Sequence, residues 1–60
     1  MFIVLLTRVT PKGYTQHTTL NELDGSLRQY EDAETANMAG HDLLNTKDSR
    51  IVWYEVKRIY

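Results

Sequence analysis

Two stretches of this chain are apolar at successive positions rather than at alternate ones. Phe2-Ile3-Val4-Leu5-Leu6 opens the sequence, and Ile51-Val52-Trp53-Tyr54 leads the closing run of residues 50–60. Both read as β-strands with two apolar faces, a pattern normally found in sheets covered on both sides. Residues 2–9 form the first strand. Pro11 has no N–H to give a ladder and Gly13 tolerates positive φ, so residues 10–13 form a turn. Residues 14–20 are rich in β-branched and aromatic side chains and form the second strand of an antiparallel hairpin. Asp24-Gly25 is a tight-turn dipeptide that either joins a short strand near 20–23 to another near 26–30 or belongs to a looser connection, which would read the same way.

The period changes after residue 30. Asp32 can accept hydrogen bonds from the free amides of a first helical turn, and Glu31 and Glu34 favour the positive end of a helix dipole. Ala33, Ala36, Gly40, Leu43 and Leu44 then fall on one helical stripe, small at its start and bulky at its end. Such a stripe lets the helix approach a sheet closely near Ala36 and Gly40. Lys47 suits the negative end of the dipole, residues 45–49 form the exit loop, and the last strand begins at about Arg50. The pattern predicts a single α+β minidomain over residues 1–60. It is a ββαβ chain with a small antiparallel or mixed sheet of three to four strands and one helix on one face.

One helix leaves one face of that sheet uncovered. In the last strand Val52, Tyr54, Val56 and Arg58 point one way, and Ile51, Trp53, Glu55, Lys57 and Ile59 the other. The simplest pairing puts Val52, Tyr54 and Val56 under the helix. Trp53 and Ile51 are then open, joined by three apolar residues of the first strand from whichever of its two faces lies there. Two readings follow. The apolar residues are ordinary surface scatter or lie under a loop, or they form a contiguous patch of the kind that marks an interaction site. Trp and Tyr are favoured anchors in such sites.

Size sharpens the point. A chain of 60 residues buries only about 60% of the surface it exposes when unfolded, and small domains usually add disulfides, a metal or a partner. There is no cysteine, which excludes disulfides and thiolate metal sites. Oligomerisation or a binding partner remains. The opening run is short and lacks a cationic lead, and no run approaches the length of a membrane helix, so the expected setting is cytoplasmic with no membrane association. The start at Met1 fits a complete small gene product.

Net charge is −1, unevenly spread. Residues 22–46 carry Glu22, Asp24, Glu31, Asp32, Glu34 and Asp42 against Arg28, a net −5. Each end carries a net +2, from Arg8 and Lys12 at the start and from Lys47, Arg50, Lys57 and Arg58 against Asp48 and Glu55 at the close. The helix side is therefore acidic and the sheet side mildly basic. Catalytic signatures are absent: the three glycines are isolated, no serine has the flanking glycines of a nucleophile elbow, and His17 and His41 have no matched spacing. Three acids at a helix start are caps and dipole partners far more often than metal ligands. No enzyme activity and no cofactor are expected.

The stretch Tyr30-Glu31-Asp32-Ala33-Glu34-Thr35-Ala36, followed after the helix by Trp53-Tyr54-Glu55-Val56, resembles the helix-to-last-strand segment of the T7-type small inhibitors of bacterial RNA polymerase, which are very small phage-encoded proteins. The likeness covers the second half of the chain. It implies an acidic surface that docks on a basic part of the polymerase, with Glu31, Asp32 and Glu34 matching that acidity in place. The mildly basic strands depart from the family.

These observations converge on a non-enzymatic protein-binding regulator of the phage type, an inhibitor or modulator of a host enzyme such as RNA polymerase. The expected partner-binding residues are Trp53, Ile51 and Lys57 on the open sheet and Glu31, Asp32 and Glu34 at the helix start, with a homodimer through the open face. The alternative is a nucleic-acid-binding protein, with Arg8, Lys12, Arg50, Lys57 and Arg58 on phosphates and Trp53 or Tyr54 stacking on bases. A net charge of −1 and a pI near 6.0 argue against it, because affinity for polyanions rests on many cationic contacts.

Overall fold

A computed structural model describes residues 1–46 and 50–60 of the chain. Strand β1 spans Phe2–Val9, β2 Thr15–Thr19, helix α1 Ala33–Leu44 and β3 Ile51–Arg58. The long apolar β1 is the central strand of a three-stranded sheet of order β2-β1-β3, antiparallel to both neighbours. Helix α1 packs on β3 and β1. It leaves β2 uncovered, which is why the residues of β2 are polar and mostly exposed.

The turn between β1 and β2 closes as the sequence predicts. Thr10 and Tyr14 pair through a 2.7 Å backbone hydrogen bond, and Gly13 adopts φ +87°. The expected fourth strand does not form. Residues 21–27 make a loop closed by a single bridge between Asn21 and Leu27, with the Asp24 carboxylate accepting from the Ser26 amide (2.9 Å) and hydroxyl (2.7 Å). Backbone bonds from the Gly25 amide to Glu22 (3.0 Å), from the Glu22 amide to Ser26 (2.7 Å) and from the Arg28 amide to Leu20 (3.2 Å) close the loop together with Asp24. Tyr30 then pairs with Phe2 through two 2.8 Å backbone bonds and buries its ring in the core.

Helix α1 starts where its cap is. The Asp32 carboxylate accepts from the Thr35 amide (2.7 Å) and the Thr35 hydroxyl (3.0 Å). The amide bond and then the hydroxyl bond hold its pKa below the ordinary 3.8. A depressed folded-state pKa contributes stability that is complete above the unfolded value and lost as the pH falls through the folded one. Asp32→Ala is therefore expected to lower the melting temperature at pH 7, and the gap to the wild type should close below pH 3.8. Circular-dichroism melts across a pH series measure it, and a gap that persists unchanged in acid would assign the loss to something other than the charged cap.

The small-residue stripe performs as expected at Ala36 and Gly40, both buried, while Leu43 and Leu44 are half-buried. Ala33 instead is exposed and Ala39 is half-buried, so the contact stripe begins one turn later than the sequence implies. Gly40 sits directly on the Tyr54 ring of β3, whose hydroxyl donates to Asn37 on the same helix at 2.6 Å. The core lies between α1 and the sheet, with Val4 wholly buried beside Leu6, Tyr30 and Ala36. The expectations for Lys47 and for residues 47–49 of the exit loop lie outside the described residues.

One irregularity overturns a sequence expectation. Leu6 pairs with Tyr54 and Thr7 with Trp53, but Arg8 pairs with Ile51, so Val52 is an extra residue in β3. A bulge of this kind inverts the alternation on one side of it. Ile51 therefore turns to the helix side and packs against the core, whereas Val52 is 53% exposed. Simple alternation had placed these two the other way round.

Candidate partner-binding surface

The registers settle which face is left open. Directly opposed residues share a face, so Ile3, Leu5, Thr7 and Val9 point away from the helix together with Trp53, Glu55 and Lys57 from β3 and with Thr15, His17 and Thr19 from β2. Ile3 is buried all the same. The open face is thus apolar at its middle, around half-buried Leu5 and the Trp53 indole, which is 63% exposed.

A shallow groove of about 510 Å³ runs across this face, lined by Leu5, Thr7, His17, Thr19, Trp53 and Glu55 among others. His17 Nδ1 and the Thr7 hydroxyl lie 3.3 Å apart on its floor. A second groove of about 410 Å³ lies between α1 and β3, lined by Asn37, His41, Leu44 and the stretch from Trp53 to Val56. Trp53 lines both grooves and so stands on the outer edge of β3, its ring 6.3 Å from that of Tyr54. The face offers an exposed indole, a methyl-lined floor and hydrogen-bonding groups from His17, Thr19 and Glu55. That arrangement can seat a side chain or an extended segment.

The residues expected to bind a partner do not form one site. Trp53 and Lys57 lie on the open face, where Lys57 is opposite Ile3. Ile51 does not: the bulge turns it into the core. Glu31, Asp32 and Glu34 lie at the start of α1, on the other side of the sheet, and the Asp32 carboxylate is engaged as the cap. His17, Thr7 and Leu5 complete the groove without having been singled out in the sequence. The signal for them was the alternation of Thr15, His17 and Thr19, which becomes readable only when the β1–β2 register is known. A further exposed apolar side chain, Leu23, stands on the 21–27 loop.

The cationic residues are likewise divided. Lys57 is on the open face, while Arg8 and Arg58 belong to the opposite set. Arg28 is 3.7 Å from Glu22 and its guanidinium lies 5.3 Å from the Tyr30 ring centre. Among the described residues no three His, Asp or Glu side chains come together to hold a metal ion, and no helix is long and apolar enough to cross a membrane. Comparison of the chain with protein-family models, curated proteins and solved structures finds no match in any of the three.

Proposed function

We propose that this chain is a small regulator that acts by binding a protein, and that it docks through the groove on the open face of its sheet. The observation that carries the reading is Trp53, a large aromatic side chain left 63% exposed beside an apolar floor. Leaving that much indole in water is unfavourable, and burying it against a partner recovers about 25 cal/mol per Å² of apolar surface. The separation of Lys57 from Arg8 and Arg58 onto opposite faces, together with a net charge of −1, supports a protein target over nucleic acid, whose binding rests on many cationic contacts.

The target class rests on the resemblance to the phage inhibitors of bacterial RNA polymerase, in which acidity at Glu31, Asp32 and Glu34 matches a basic docking surface. In the fold these acids lie across the sheet from Trp53, so charge attraction by the acids and contact by the groove are contributions of two separate surfaces. Titration of purified bacterial RNA polymerase with the labelled chain tests the reading. Trp53→Glu is expected to weaken binding about 30-fold or more, the loss typical of a central aromatic anchor. Its thermal melt should match that of the wild type. Polymerase binding that survives Trp53→Glu unchanged would move the docking surface elsewhere, and no binding at all would remove the polymerase as the target.

A further inference from the structure

Among the described residues no strand pairs with the outer edge of β3 from Trp53 onward, and the backbone pattern and side-chain charges of that stretch fit a second copy of itself. The Ile59 amide donates to Met1 and the Arg50 carbonyl accepts from Val9, so the residues of β3 opposite Ile3, Leu5 and Thr7 turn their backbone groups inward to β1. Tyr54, Val56 and Arg58 then turn their N–H and C=O groups outward. The Val52 bulge disturbs the edge only at its beginning. Edges of this length and character are templates for pairing with another strand.

We propose that two copies pair antiparallel through β3 about a two-fold axis at Val56, joining their sheets into one. In that register each outward group has a partner: Val56 exchanges both hydrogen bonds with Val56 of the second copy, and Tyr54 does so with Arg58 of the second copy. The side chains agree with the backbone. Glu55 lies opposite Lys57 of the second copy, and the axis makes the same pair twice. Tyr54 lies opposite Arg58, a cationic partner for its ring. Trp53 lies opposite Ile59 on the open face. The segment from Trp53 to Ile59 is thus self-complementary about its centre. The outer edge of β2 offers no equivalent, since Thr15–Thr19 is short and carries no charged pair. Among the described residues the ion pair within the chain is Arg28–Glu22, which leaves Glu55 and Lys57 available to each other. The inference goes beyond the docking role of the open face and stands without it.

The test is molar mass in solution with no target present, by light scattering and sedimentation from about 1 μM to about 1 mM, the range of weak, small-area interfaces. The wild type should be dimeric at the upper end and dissociate more readily in high salt. Glu55→Lys sets lysine against Lys57 twice and should weaken the dimer about 10-fold or more. The double variant E55K/K57E reverses both pairs and should restore it. Both residues are exposed, so circular dichroism should show the fold retained. Arg58→Pro removes an outward N–H without breaking the ladder to β1, and should also give a monomer. A wild-type monomer throughout the range overturns the proposal. So does a dimer indifferent to Glu55→Lys, or a folded double variant that fails to recover.

Discussion

Gly40→Val is expected to destabilise the domain by about 3 kcal/mol, at the upper end of the range for overpacking a filled site. Any Cβ at residue 40 falls within 3 Å of the Tyr54 ring, with Cγ at 2.8 Å and Cε2 at 2.9 Å. Those atoms belong to the body of the ring, not to a mobile tip. The ring is held from its far end as well, through its hydroxyl bond to Asn37. Either the helix must rise off the sheet, exposing Ala36, or Tyr54 must leave its place over the core. Gly40→Ala carries the same first clash but gains about 1 kcal/mol of helix propensity, so its loss should be smaller. Urea unfolding of both variants measures the effect. The decisive control is a double-mutant cycle with Tyr54→Val, which opens the space. If Gly40→Ala costs as much in the Tyr54→Val background as in the wild type, the ring is not the obstacle.

Leu6→Ala should cost about 2–4 kcal/mol, the usual loss for emptying a buried leucine site. Leu6 is 6% exposed, lies in the central strand and faces the helix beside Val4 and Ala36. A core in this size range supplies only about 3–5 kcal/mol in total, so the variant is expected to be largely unfolded at 37 °C. Leu5 is the informative comparison. It is one residue away and of identical chemistry, yet it faces the open groove and is only half-buried. Leu5→Ala should lose less than half as much stability while altering the docking surface. Equal losses from the two substitutions would mean that the open face is covered in solution, as a partner or a second copy would cover it.

Much of the fold is legible in the sequence. The extent of β1, the turn at Gly13, the cap at Asp32 and the close approach at Gly40 each rest on a local rule: an unbroken apolar run, a positive φ, a carboxylate over free amides, an absent side chain. The candidate site was half legible. Trp53 and Lys57 share the open face as their spacing implies, but Ile51 and Val52 exchange places through the bulge, and the acidic group stands apart from the indole. His17 looked like a lone polar residue until its strand was registered against β1, where it meets Thr7.

The three long elements and the helix cap are local properties of the chain, because caps, turns and apolar runs act over a few residues and need no distant partner, whereas the short strands expected around Asp24-Gly25 reduce to one bridge. Packing and register settle which set of β1 side chains meets the helix, that β1 lies between β2 and β3, and which of Ile51 and Val52 is inside. Alternation along a strand defines two faces but does not say which one is inside, and one inserted residue reverses the answer. That choice is made by packing. The helix settles where Ala36 and Gly40 let it approach Tyr54, and the surface it leaves uncovered is the one carrying Trp53.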